Sequence, residues 1–417
     1  MWDPYAEFTK ETLPNGLTIY HTKWNRPWIH VGFLIHCGAR EDPKNKEGMA
    51  HFIEHVINEN AANFSHNQIK KIFESFGGRT DFGRTGYLST KYSSFIPLKH
   101  ENIKKSFEFF GSMLLTANIV KRIEEERKIV FREIKESYPI PIIEELETRR
   151  RKALFSNHNL FRFNSPLGTD KSISAITKNN LQEFYDQYYT PANMAIVCIG
   201  GISLKKLITY LQQSPFWVNK PGKRNIIPPP VSFIDQPKEN RYAYNVSDYY
   251  SGPTLEYGSY QSFAALPGNL LTESVKIANC MLDDILSERI RERKNWSYSF
   301  ESDRNSYQDI WEFSITGQIS TNALDYIEEE VEKCINTAQK DKSLFKHNRE
   351  LILIHYKTID ISGKRLCNNA LADLNHEQRI ISARETIEDC KRITMDNVRE
   401  VFSYLKPERR WTSLSYP

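Results

Sequence analysis

Apolar residues recur along this chain at two spacings, and each spacing marks a different kind of element. Residues 12–22 read as strand, Asn15-Gly16 turn and strand, the pattern of a tight hairpin. Residues 30–37 form a second apolar strand closed by Gly38, and the charged stretch containing Pro43 that follows is a loop. Helical spacing predicts a helix over 46–58, then helices over 67–76 (stopped by Gly77-Gly78), 101–116 and 119–137 (halted by Pro139). Helices over 142–155, 178–188 and 204–212 complete this half, with strands around 79–92 and at 195–199. From 221 to 240 the apolar period disappears, and Gly222, Pro228-Pro229-Pro230 and Pro237 describe an extended linker. The chain is thereby divided into a domain at 1–220, a linker at 221–240 and a domain at 241–417. The second domain repeats the order of the first: a strand at 257–266, a helix over 272–293, strands at 297–303 and 311–319, and helices from 322 onward. No residue-by-residue repeat accompanies this, so an internal duplication rests on element order alone.

The helix at 46–58 carries the chemistry. It contains His51-Phe52-Ile53-Glu54-His55, and at about 100° per residue positions i, i+3 and i+4 share one face. Both imidazoles and the carboxylate then lie on one stripe, with Phe52 and Ile53 turned toward a core. Two neutral imidazoles one turn apart reach a common point and suit Zn²⁺, a borderline-soft ion. Glu54 between them is placed for proton transfer to and from a metal-activated water. The order H-x-x-E-H is the inverted zinc-peptidase signature. The plainer alternative is a surface helix with two solvated histidines and an acid.

Composition narrows the class without naming it. A chain of 417 residues, 40% hydrophobic and 26% charged, is of ordinary globular make-up. A net charge of +4 does not argue for nucleic acid. The one dense basic run, Arg149-Arg150-Arg151-Lys152, reads as a solvated helix face because acids share its helix. No stretch approaches the roughly 18 apolar residues of a membrane span, and Met1-Trp2-Asp3 lacks the features of a secretion signal. The six cysteines (Cys37, Cys198, Cys280, Cys334, Cys367, Cys390) are far apart and form no C-x-x-C pair. They read as buried thiols of a reducing compartment, so a cytoplasmic location is expected.

A catalytic zinc takes three protein ligands and leaves one position open. The helix over 119–137 offers Glu124, Glu125, Glu126, Glu133 and Glu136, and periodicity alone does not choose among them. The assembly of motifs is more specific. Gly48 precedes the pentapeptide, and Glu133 follows His55 by 78 residues within Glu126-Arg127-Lys128-Ile129-Val130-Phe131-Arg132-Glu133. With Leu13-Pro14-Asn15-Gly16-Leu17, Gly77-Gly78, Thr90-Lys91-Tyr92 and Tyr189-Thr190-Pro191-Ala192-Asn193-Met194, the chain resembles the pitrilysin/insulinase family of zinc peptidases, which includes the mitochondrial processing peptidases. The resemblance implies an α+β fold: two related domains, each a mainly antiparallel sheet covered by helices, together forming half of a clamshell. It implies one Zn²⁺ per chain held by His51, His55 and Glu133, Glu54 as general base, and Glu126 as an acid orienting a ligand. It also implies that Arg291 and Tyr298, in Arg291-Glu292-Arg293-Lys294-Asn295-Trp296-Ser297-Tyr298, contact the substrate carbonyl from the opposite half of a clamshell. Read without the resemblance, Arg291 is a helix C-terminal cation and Tyr298 a core residue of a strand.

Three stretches depart from the family pattern. Asn295-Trp296 stands where Gly-Leu is usual, Asp81-Phe82-Gly83-Arg84 replaces Asn-Ala-x-Thr on the strand along which substrate is laid, and 58–65 is polar. The leading expectation is a zinc endopeptidase or oligopeptidase of half size, working as a homodimer or beside a related zinc-free subunit. Two alternatives stand beside it. One is a maturation peptidase dedicated to a single precursor peptide, modified or unmodified; the other is a non-catalytic peptide-binding or scaffold subunit of the same fold.

Overall fold

The computed structural model describes residues 7–59, 61, 64–75, 79–119, 121–138, 141–155, 166–226, 240–248, 257–307, 310–358 and 362–417. The expected Gly77-Gly78 stop, Pro139 and most of the expected linker (227–239) lie outside them.

The first half builds a six-stranded sheet from β1 (Thr9–Thr12), β2 (Thr18–Lys23), β3 (Trp28–Ile35), β4 (Arg79–Thr85), β5 (Thr90–Pro97) and β6 (Met194–Gly200), in the order β1-β2-β6-β3-β5-β4. All neighbours are antiparallel except β2 and β6. Between β3 and β4 lie α1 (Met49–Glu59) and α2 (His66–Ser75). Between β5 and β6 lie α3 (His100–Leu115), α4 (Ile123–Ser137), α5 (Pro141–Phe155), α6 (Asp170–Ser174) and α7 (Lys178–Tyr188), and α8 (Leu204–Gln212) follows β6. The main core of this half joins Phe33 and Ile35 of the sheet to Phe52, Ile53 and Val56 of α1 and to Phe107 and Phe110 of α3.

The second half builds a five-stranded sheet from β7 (Arg241–Asn245), β8 (Tyr257–Pro267), β9 (Phe300–Ser306), β10 (Ile310–Ser320) and β11 (Arg410–Tyr416), in the order β7-β11-β8-β10-β9. Its helices are α9 (Thr272–Leu286), continued by a π-helical stretch Ser287–Arg293, then α10 (Ile327–Ala338), α11 (Lys342–Thr358), α12 (Gly363–His376), α13 (Ala383–Arg392) and α14 (Met395–Ser403). Set aside β1, and the two sheets have the same strand order, down to one parallel pair at the same place (β2/β6 and β7/β11). Element order pointed to a duplication, and the shared topology carries it further.

The halves exchange helices. α5 leaves the first half to lie against β8 and β11, and α12 leaves the second half to lie against β3 and β6. Leu366, Cys367, Ala370, Leu371 and Leu374 of α12 share a core with Leu34, Val197 and Ile199, on the face of the first sheet opposite α1. Gly32 permits this approach, since a Cβ there would come within 2.6 Å of Leu371 Cδ1. α5 likewise shares a core with Phe263, Ala265 and Trp411 of the second sheet. A cut between the two sheets therefore does not cut between two separate cores.

Several expectations change. The basic run is not a solvated face: Arg150 and Arg151 are buried where α5 meets the second sheet. Arg150 donates to Glu147 at 2.6 Å, pairs with Glu312 of β10 at 3.4 Å and lies over the Phe263 ring. Burial is tolerated because the charge is paired on both sides. Strands β7 and β11 went unseen. β11 is a buried strand rich in hydroxyls, whose Thr412 and Ser415 bond to Ser262 (3.0 Å) and Ser259 (2.7 Å), so its polar residues disguise a core position. β9 begins later than expected because Asn295 turns the chain with φ 53°. Asn tolerates this left-handed conformation nearly as glycine does, which accounts for Asn where the family has Gly.

Candidate metal centre

Burial on nearly every side places the central helix α1. Met49, Ala50, Phe52, Ile53, Val56 and Ile57 are all buried, so the helix cannot rotate about its axis without exposing core. Its first turn is fixed by Asp42, a buried carboxylate that accepts from Gly48 N at 2.7 Å and Ala50 N at 2.8 Å. The helix starts at Met49 rather than 46 because Gly48 takes φ 90° against Leu167 O. On α4, Glu126, Val130, Glu133 and Ile134 share one face by their spacing. Arg127 ties α4 down: it donates to Ile173 O and Ile176 O and lies over the Phe52 ring at 5.0 Å.

These two helices bring His51, His55 and Glu133 to one point. His51 Nε2 and His55 Nε2 are 3.3 Å apart, and Glu133 Oε2 lies 3.4 Å from the first and 3.2 Å from the second. Donor atoms around an ion held tetrahedrally at about 2.0–2.1 Å are separated by about 3.3 Å. The three side chains therefore already stand at the corners of one face of a zinc-sized tetrahedron. Two imidazoles and one carboxylate are also a donor set that zinc accepts. The solvated-helix alternative fails, since both rings lie mostly out of solvent, while Glu133, with 39% of its side chain exposed, stands at the open side.

The electrostatics suit this reading. Burial, and then the charge of neighbouring His55, lowers the His51 pKa to about 3, so its ring is neutral and free to donate a lone pair. Burial also pulls His55 down, but its bond to Glu126 and the charges of Glu133 and Glu54 outweigh this and raise it. Glu126 Oε2 lies 3.6 Å from His55 Nδ1, on the ring edge away from Glu133. That is where an acid orients a ligand ring from behind.

Glu54 is buried about one turn after His51 and directly before His55, and burial raises its pKa while a bond from Thr85 Oγ1 at 2.5 Å holds it back. Thr85 belongs to β4, the free edge of the first sheet. Beside it, Gly83 has φ 120°, and a Cβ there would stand 2.5 Å from Glu54 Oε1. Sequence reasoning missed Asp42, Gly83 and Thr85. The Gly within Asp81–Arg84 was the one visible signal for this contact, in a segment noted only as a departure.

Arg291 and Tyr298 keep company with each other rather than with this cluster. The Arg291 guanidinium lies over the Tyr298 ring at 5.4 Å, and Tyr298 is 87% exposed, so it is no core residue. It stands before the start of β9, whereas Tyr307, just past its end, meets Tyr87 of the first half at 5.5 Å. At about 3.3 Å per residue the strand separates these points by about 20 Å. Neither residue joins the hydrogen bonds or ion pairs of the metal cluster.

Fold and site define a class, and comparison with known proteins agrees. Residues 18–163 match the family described as insulinase (peptidase family M16), and residues 175–347 match the peptidase M16 inactive domain. The chain belongs to the insulinase family. It is 27% identical over 267 residues to a probable zinc protease, PqqL, of Escherichia coli, covering 60% of this chain but 28% of that one. It is 23% identical over 344 residues to an uncharacterized zinc protease, YmxG, of Bacillus subtilis, covering 79% and 78%. The crystal structure of a protease from Helicobacter pylori superposes with a TM-score of 0.80 at 18% identity, over 98% of this chain and 99% of that one. The last likeness is one of fold.

Proposed function

We propose that the chain is a zinc-dependent endopeptidase or oligopeptidase acting on unstructured peptides. The observation that carries this is the triangle of His51, His55 and Glu133 with a buried, upshifted Glu54 beside it. Zinc, when bound there, supplies Lewis acidity that polarises a peptide carbonyl and acidifies a water. Glu54 takes the proton as the carbonyl is attacked, and its role falls to Oε1 because Thr85 engages Oε2. The same carboxyl then hands the proton to the leaving amine. Glu126 keeps the His55 ring in line through Nδ1.

The exposed Arg291–Tyr298 pair favours a second element of this reading. A guanidinium and a phenol are donors suited to a developing oxyanion, and here they contact each other, with Tyr298 87% exposed and neither in the hydrogen bonds or ion pairs of their own chain's cluster. We infer that they serve the site of a facing subunit, so the working unit is a pair: two copies of this chain or this chain with a zinc-free relative. The irregular pairing of β4 between Asp81 and Arg84 favours a narrow substrate, as for a maturation peptidase with one precursor. Cleavage of a mixed peptide library separates these cases: many products support the generalist, one sequence family the specialist.

The test is turnover of a quenched-fluorescent unstructured peptide by the zinc-loaded chain and by Glu54→Gln. The variant is expected to hold zinc equally and to lose at least about 10²-fold in kcat. Equal nonzero rates would remove Glu54 as the general base, and no cleavage by the wild type alone or paired would leave a peptide-binding subunit instead.

A further inference from the structure

A cavity of about 620 Å³ opens on the face of the first sheet opposite the metal centre, where β4 and β5 meet α12 and the end of β9. Strand register fixes what enters it. Thr85 pairs with Thr90, and both belong to the face that holds Glu54; their neighbours Arg84 and Lys91, also paired with each other, point to the opposite face. Arg84, Lys91 and Lys364 line the cavity, with Asn368, Asn375 and His376 of α12, and no acid is among its described lining residues.

Lys91 is the telling member. Its side chain is largely buried, and among the described residues its ammonium makes no hydrogen bond or ion pair. Burial first, and then the charge of Arg84, lowers its pKa to about 8, with only Asp373 acting in the other direction. A buried ammonium beside a second cation is destabilising unless an anion arrives. The fold keeps this arrangement across the edge strand β4, which borders Glu54, and its neighbour β5.

An extended peptide paired along β4 sends successive side chains to opposite faces of the sheet. If one residue near the scissile bond faces the metal centre, the next faces this cavity. We infer that the cavity is a specificity subsite that receives an acidic side chain, Glu or Asp, of the bound peptide, with Lys91 and Arg84 as its counter-charges. This rests on the peptidase reading for the peptide's path, but its recognition chemistry can be measured without turnover.

The experiment uses full-length, zinc-loaded Glu54→Gln protein and fluorescence anisotropy of labelled, acetylated and amidated unstructured peptides. A single Glu is moved through each position and compared with Gln there. The expected result is about 10-fold tighter binding for Glu at one position, as for a charge-assisted contact. That preference should shrink to less than about twofold in Lys91→Met, which keeps the volume and removes the charge, and weaken in the exposed Arg84→Gln. Zinc content and circular dichroism of both variants should match the parent. Equal binding of Glu and Gln peptides at every position, no binding of any, or a preference surviving Lys91→Met would each overturn the subsite. Wild-type hydrolysis without acidic preference would sink the subsite alone, and acidic binding without hydrolysis by the wild type would sink the peptidase reading alone.

Discussion

At the scale of residues, the centre depends on side chains that never touch a metal. His51, Glu54 and His55 could be read from spacing because one helix turn contains them all. Glu133 could not: Glu126 lies two turns away on the same face, and only the wider family resemblance preferred one to the other. The structure gives the physical reason for two acids, since Glu133 stands on the Nε2 edge of the rings and Glu126 on the Nδ1 edge of His55. Gly83 showed only as part of a departure from the family pattern, because its meaning comes from a contact across 29 positions. Gly83→Ala should push Glu54 off its bond with Thr85 and lower kcat by about 10²-fold with zinc content unchanged, the usual effect of a misplaced catalytic group. Steady-state kinetics beside elemental analysis would check this, and an unaltered kcat would show that Glu54 tolerates the shift.

At the scale of elements, the legible parts were those with one clear period. The helices over 178–188 and 204–212 emerge with the expected bounds, and α1 and α3 move only at their ends. A buried strand made of apolar residues, β6, was legible, but one built from hydroxyls was not, as β11 demonstrates. Helix position was likewise hidden. Asp42 holds the first turn of α1 by two backbone bonds, and a buried N-terminal carboxylate also opposes the positive end of the helix. Asp42→Ala should cost about 2–4 kcal/mol, because two buried N–H groups lose their acceptor. Denaturant unfolding of the metal-free protein would measure it, and a loss under about 0.5 kcal/mol would show that another group caps α1.

Across the whole molecule, the reciprocal placement of α5 and α12 joins the halves into one cooperative body. No local pattern announces such an exchange; it is set by which sheet face each amphipathic helix finds. The misread basic run is the clearest instance, for Arg150 has acids on its own helix and a partner, Glu312, in the other half. Removing the cation leaves buried carboxylates without it, so Arg150→Ala should destabilise the protein by about 3–5 kcal/mol. The unfolding transition should stay single when followed by both tryptophan fluorescence and circular dichroism. Two separated transitions would mean that the halves fold independently.

The proposed chemistry requires one ion bound where two helices meet. Zinc per chain, measured by elemental analysis after exhaustive dialysis, addresses this most directly. The geometry predicts one zinc in the wild type and in Glu54→Gln, and nearly none in Glu133→Ala, with Glu136→Ala retaining it. A folded wild type without zinc, or full zinc in Glu133→Ala, would contradict it.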